Sequence, residues 1–206
     1  MKVTLPKLPI QSLYDLTTKK LHPRKGRLLV ASPFLFDMFF PKTVILLTEH
    51  SRDGTAGLVL NKPQDLPVGI LIKDLANYPE FVIHKGGPVQ LNSLFYLHTF
   101  KDLPNAIPVN EDLNLYWGGD INELIQLIKE GKATPENTKF FLGYSGWAPL
   151  QLSKEMKEES WFVLEPQSQE DLFKIPERHK GWQYILKKSG VVHPLAYMMP
   201  ERLMDN

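Results

Sequence analysis

The 206-residue chain contains no cysteine. That absence removes a disulfide framework, a thiolate zinc site and a cysteine nucleophile together, and it suits a reducing compartment, so the cytoplasm is the expected setting. Long apolar runs are also missing. The most apolar stretch, Leu28 to Phe40, is 13 residues long and is interrupted by Pro33 and Asp37. A membrane-spanning helix needs about 20 apolar residues, so this stretch is expected to be buried in protein and no membrane association is expected. Pro6, Lys7 and Pro9 break the N-terminus where the apolar core of a signal peptide would begin. Nor is there an excess of one charge: the formal net charge is +1, which commits the whole molecule neither to nucleic acid nor to an anionic surface.

What is present is the composition of a globular domain, 43% hydrophobic and 23% charged, long enough for one sizeable core. The charge is unevenly placed. Residues 1–27 hold Lys2, Lys7, Lys19, Lys20, Arg24, Lys25 and Arg27 against Asp15 alone, a local +6 that leaves the rest at −5. Residues 1–25 therefore read as a basic arm, 26–200 as an α+β domain and 201–206 as a C-terminal tail. Such a run is usually a solvated tail. The functional reading is contact with an acidic partner or with the domain's own acidic body, and the arm 1–27 is the one place where nucleic-acid contact stays open.

Along the domain, Arg27 to Ala31 reads as a strand and Thr43 to Thr48 as a strand covered on both faces. Asp53-Gly54 between two apolar runs predicts a hairpin that returns through Ala56 to Asn61. A short helix is expected over Val68 to Leu75, and strands over Phe81 to His84, Leu94 to His98 and Leu113 to Trp117. Ile121, Leu124, Ile125 and Ile128 follow helical spacing, with Asp120 placed to cap and Gly131 to stop the helix. Thr138 to Leu142 reads as a strand entering a turn at Gly143-Tyr-Ser-Gly-Trp147. Helices are then expected at 150–159, 168–175 and 181–189, and a strand at Trp161 to Leu164. Hairpins mixed with crossovers and helices argue a single α+β domain, a mixed β-sheet with helices packed around it.

Four segments in this order carry a resemblance: Gly26 to Pro33 with Asp37 and Phe40; Thr43 to His50 continuing through Gly57 to Asn61; Gly86-Gly-Pro-Val-Gln90 with Leu97-His98; and Gly143 to Trp147 with Gln151, Leu152, Glu155 and Trp161. Together they resemble the bacterial AlgH/YqgE family over roughly residues 26–165. The resemblance implies an α+β domain with no established reaction, some members being labelled transcriptional regulators. Two departures stand out: Leu150 occupies a position where the family often has glycine, and Ser145 one where it often has alanine.

Ser145 follows a strand, but a nucleophile elbow needs glycine two residues to either side, and Trp147 stands where the second is required; a tight packing turn with Gly143 and Gly146 is expected. Gly86 and Gly87 could form an anion nest, but Pro88 removes a donor, so a turn before an edge strand is expected. Glu49 and His50 are adjacent on a strand and point to opposite faces, so a metal site would need His84 or His98 across the sheet, and no metal is expected. Asp37, Glu49, His50, Asn61, Pro88, His98, Gly143, Gly146 and Trp161 are read as structural residues, the polar ones near the hairpin satisfying buried main chain. Gln151 and Glu155 share a helix face beside Trp147. With Gly86, Gly87 and Tyr144 these three form the candidate ligand-binding set, weighed against an ordinary packed tryptophan beside a solvated helix face. No triad, metal box or nucleotide fingerprint is present, so no cofactor is expected. A non-catalytic binding or regulatory protein, with a protein partner, is the leading expectation; an enzyme with a pocket at the Gly86–Pro88 and Gly143–Trp147 turns is the alternative.

Overall fold

The computed structural model describes residues 21–33, 35 and 37–190. The arm lies largely, and the tail wholly, outside these residues. Ten strands form one mixed sheet: β1 (Leu28–Ala31), β2 (Val44–Ser51), β3 (Gly54–Val59), β4 (Pro63–Pro67), β5 (Val82–Lys85), β6 (Val89–His98), β7 (Ile107–Asn110), β8 (Leu115–Trp117), β9 (Thr138–Trp147) and β10 (Trp161–Leu164). Among the described residues four α-helices accompany them: α1 (Ile121–Lys129), α2 (Gln151–Lys157), α3 (Glu170–Phe173) and α4 (Arg178–Lys188). The result is a single α+β domain.

The main path of the sheet runs β10-β1-β2-β3-β9-β6-β8-β7. β9 organises it. Its first half runs parallel to β5, with Phe140 to Leu142 beside Ile83 to Lys85, and its second half runs antiparallel to β3, with Ser145 to Trp147 beside Gly57 to Thr55. β6 borders its other edge, with a register break between Val89 and Leu94. One long strand thus joins two sectors that each have a core. One core packs β1, β2, β3 and β10 with Trp182, Ile185 and Leu186 of α4; the other packs Leu124 and Ile128 of α1 with Leu75, Ile83 and Phe140.

Most elements form where the pattern predicts, with four corrections. Val68 to Leu75 is two single 3₁₀ turns, Val68–Ile70 and Lys73–Leu75, because neither is long enough to propagate i→i+4 bonding. β4 and β7 were not foreseen; both contain proline, which depresses any strand reading. β6 is interior, flanked by β8 and β9, so Gly86 to Pro88 does not precede an edge strand. Gly143 to Trp147 is not a turn but the second half of β9. Gly143 sits there at φ 67° and lets the strand pass the register break without ending.

Helix α1 starts as its sequence dictates. The Asp120 carboxylate accepts from the N–H groups of Asn122 at 2.8 Å and Glu123 at 3.3 Å, and Gly131 adopts φ 71° past the end. Of the basic residues up to position 27, Arg24, Lys25 and Arg27 are described, and Arg24 and Arg27 pair with Glu165 after β10, at 3.3 and 2.7 Å. Among the described residues no helix is long and apolar enough to cross a membrane.

Candidate functional site

The two glycines after β5 lie against the main chain of β9. A Cβ on Gly86 would come within 2.1 Å of the Gly143 carbonyl oxygen, and one on Gly87 within 2.2 Å of the Tyr144 carbonyl carbon. The space that a pocket between these segments would need is therefore taken by backbone. Ser145 is fully buried, and its hydroxyl donates to the Gly86 carbonyl at 3.0 Å, the same oxygen that accepts from the Val59 N–H at 3.0 Å. That hydroxyl ties three chain segments together. Tyr144 lies on the opposite side of the strand, edge-on to Phe95 at 5.7 Å.

Trp147, Gln151, Glu155 and Trp161 do come together, as a closed knot. One Glu155 oxygen accepts from both indoles, Trp147 Nε1 at 2.8 Å and Trp161 Nε1 at 2.7 Å. The other accepts from Gln151 Nε2 at 2.9 Å, while Gln151 Oε1 takes the Ala148 N–H at 3.0 Å. Both tryptophans are buried and cross at 82°, and Phe40 stacks on Trp147 with centroids 6.1 Å apart. The carboxylate and amide that would face a ligand are spent on closing the end of β9 onto α2. This knot is well separated in role from Gly86, Gly87 and Tyr144, which pack at the middle of the strand.

The other residues singled out by sequence are equally engaged. Asn61 is buried; it accepts from the Val44 N–H at 2.9 Å and donates to the carbonyls of Lys42 at 2.9 Å and Arg178 at 2.6 Å. Asp37 accepts from the N–H groups of Phe39 and Phe40. His50 Nδ1 pairs with the Thr55 hydroxyl at 2.7 Å, and Glu49 is exposed. His98 accepts the Phe100 N–H on Nδ1, which leaves Nε2 as the donor to the Gly118 carbonyl at 2.8 Å, and burial lowers its pKa. Pro88 leads into β6. No group of three metal-ligating side chains occurs among the described residues.

Sequence reasoning missed the most unusual chemistry. Lys139, the second residue of β9, is only 6% exposed. Its Nζ donates to the Leu172 carbonyl at 3.0 Å and lies 3.5 Å from that of Leu60, and it has no ion-pair partner among the described residues. Burial pushes its pKa down to about 7, with the charge of Glu177 opposing. His84, on β5, occupies the same face: the parallel register sets it beside Phe141, two residues along from Lys139. It is 8% exposed, its Nδ1 has no hydrogen-bond partner, and burial together with the Lys139 charge pushes its pKa down to about 3. Both residues line a cavity of about 150 Å³, walled by Phe81 on one side and Ile175 on the other, with Glu80 and Glu177 exposed at its rim. A separate recess of about 350 Å³ lies beside His50, Arg52 and Leu150 and offers hydrogen-bonding and apolar surface without a buried charge. The signal for Lys139 was its place inside the run Thr-Lys-Phe-Phe-Leu, which a lysine entering a strand normally leaves through its exposed end.

The fold and this arrangement describe an α+β domain in which one long strand carries a fully engaged motif and a buried cation. The AlgH-like family model matches residues 28–193, and the chain belongs to that family. It is 35% identical over 179 residues to a UPF0301 protein of Bacteroides fragilis, covering 86% of this chain and 89% of that one. It is 42% identical over 155 residues to one of Parabacteroides distasonis, covering 74% and 77%. Among solved structures, the AlgH protein of Pseudomonas aeruginosa superimposes with a TM-score of 0.65 at 25% identity, over 89% of this chain and 98% of that one. A protein of Corynebacterium diphtheriae superimposes with a TM-score of 0.70 at 24% identity, over 87% and 93%, a likeness of fold.

Proposed function

We propose that the protein works by binding rather than by turnover, as a regulatory component that takes up a small ligand in the cavity above Lys139. The supporting observation is a buried lysine without an ion-pair partner, set beside a buried imidazole with a free nitrogen at the floor of a cavity. Burying an unpaired cation is costly, and perturbed groups in a cleft are where ligands are received. Against catalysis, the groups best suited to it are otherwise engaged: the Ser145 hydroxyl, the Glu155 carboxylate and both nitrogens of His98 hold the fold.

The regulatory part rests on where the cavity lies. One wall belongs to β5 and β9, the other to the segment joining α3 and α4, and Lys139 bonds to Leu172 in α3. A ligand that draws Nζ away from that carbonyl alters how α3 and α4 sit on the sheet, to the extent that it binds the two arrangements with different affinity. The reading takes the protein to be cytoplasmic, which a cysteine-free chain suits. It leaves the protein that reads this change, and any nucleic acid meeting the arm 1–27, to salt-dependent binding assays on the full chain.

The test titrates the protein with acetate, glycine and alanine while following the Lys139 and His84 side-chain resonances and amide exchange over residues 170–188. Saturable shifts at both side chains, altered exchange in α3 and α4, and no turnover in a hydrolase and lyase screen are expected. A reproducible turnover that is lost in Ser145→Ala or Lys139→Met would overturn the reading.

A further inference from the structure

We infer that the cavity selects a small zwitterion of the α-amino acid type, its carboxylate inward on Lys139 and His84 and its ammonium outward between Glu80 and Glu177. This rests on the reading of the cavity as a binding site and adds the ligand's chemistry to it.

The charges are arranged in depth. At the floor, Lys139 uses two directions on the carbonyls of Leu172 and Leu60, so an ammonium there keeps a third N–H for a ligand. The unpartnered Nδ1 of His84, on the same face of the sheet, supplies a neutral donor in the appropriate tautomer. A carboxylate offers the acceptors that both require and supplies the charge that the buried lysine lacks. At the mouth the sign reverses. Glu80 and Glu177 are exposed, so a polyanion such as phosphate must pass two carboxylates, whereas an ammonium is drawn to them. Between floor and mouth the walls are Phe81 and Ile175, which suit a short aliphatic side chain. The volume, about 150 Å³, is that of a cavity that holds a molecule of roughly six non-hydrogen atoms, the size of alanine. The ligand therefore has an anionic end, a cationic end and a small apolar body.

Calorimetric and NMR titration of the full chain with L-alanine, propionate and propylamine separates these parts. L-Alanine is expected to bind, propionate about three- to tenfold more weakly because it forgoes the exposed rim pairs, and propylamine not measurably. Lys139→Met should abolish binding of both carboxylates. Glu80→Gln with Glu177→Gln should bring L-alanine down to the affinity of propionate. Those two substitutions lie at the exposed rim and carry the test if Lys139→Met does not fold. Propionate binding as tightly as L-alanine would overturn the zwitterion while leaving the cavity a carboxylate site. Absence of binding by all three, or binding that survives in folded Lys139→Met, would overturn both.

Discussion

Leu150 holds φ 66° and ψ −10° just before α2, with 82% of its surface in solvent. A left-handed conformation costs an L-residue roughly 1–2 kcal/mol, and glycine returns part of that in unfolded-state entropy, about 0.5–1 kcal/mol. This accounts physically for the glycine that the family resemblance puts at this position. Leu150→Gly is expected to raise stability by about 0.5–1 kcal/mol, read from the urea midpoint, and Leu150→Ala to leave it unchanged. Equal gains in both would shift the cause from backbone to exposed apolar surface. Ser145→Ala removes the donor to the Gly86 carbonyl, but that oxygen keeps the Val59 N–H, so the expected loss is only about 1 kcal/mol. Glu155→Ala is a different matter. It strands two buried indole N–H groups at once, and a loss of about 2–4 kcal/mol is expected by the same denaturation, with Glu155→Gln intermediate because one amide oxygen remains to accept.

Strand β9 is where element-level reasoning from sequence went furthest astray. Its two glycines and a serine read as a turn because glycine and serine are turn residues, yet Gly143 serves close approach between strands: it and Gly87 each lie against main chain of the other segment. Gly146, by contrast, has no positive φ, and a Cβ there would meet side chains alone, the Tyr144 ring edge at 3.2 Å and a Val89 methyl at 3.4 Å. Gly146→Ala should therefore cost within about 1 kcal/mol, whereas Gly87→Ala, facing backbone at 2.2 Å, should cost roughly 3 kcal/mol or more, or prevent folding. Equal effects would contradict the close-approach account. Local patterns were legible where local physics decides, as in the 3.6-residue spacing and Asp120 cap of α1 and the Asp53-Gly54 hairpin between β2 and β3. Strand order was not, because pairing β9 with β3, β5 and β6 depends on contacts far apart in the chain. The same non-locality hid the cavity: Lys139 looks like a solvated strand end until α3 and β5 close over it. The aromatic set was legible as a cluster, but not that Glu155 would be its internal acceptor.

At the scale of the whole molecule, the segment from α3 to α4 is fastened to the sheet at a few defined points. Trp182 Nε1 donates to the Ala31 carbonyl at 2.7 Å, Asn61 pairs with the main chain of Arg178, and Lys139 reaches Leu172. Within the segment, buried Asp171 binds Lys188. One of the fastenings is titratable, and its neighbour His84 titrates in another range, so stability should depend on pH in two separable limbs. His84 has its folded pKa near 3 against an ordinary 6.5, so the unfolded chain binds more protons between these values and stability falls as pH drops from about 6.5 to 3. Lys139 has its folded pKa near 7 against an ordinary 10.5. The unfolded chain again binds more protons in that interval, so the penalty is full below pH 7 and fades as pH rises toward 10. The charge of Lys139 bears on His84, and that of Glu177 opposes the lowering at Lys139. Chemical denaturation of the parent, Lys139→Met and His84→Phe from pH 3 to 10 separates the limbs. Lys139→Met should be more stable than the parent by a margin that is largest at neutral pH and shrinks toward pH 10. His84→Phe should lose less stability than the parent between pH 6.5 and 3. Because the Lys139 charge helps hold His84 neutral, Lys139→Met should also soften the acid limb. Parallel profiles in all three proteins would mean that neither group is buried with its proton affinity lowered, and that the cavity floor is solvated.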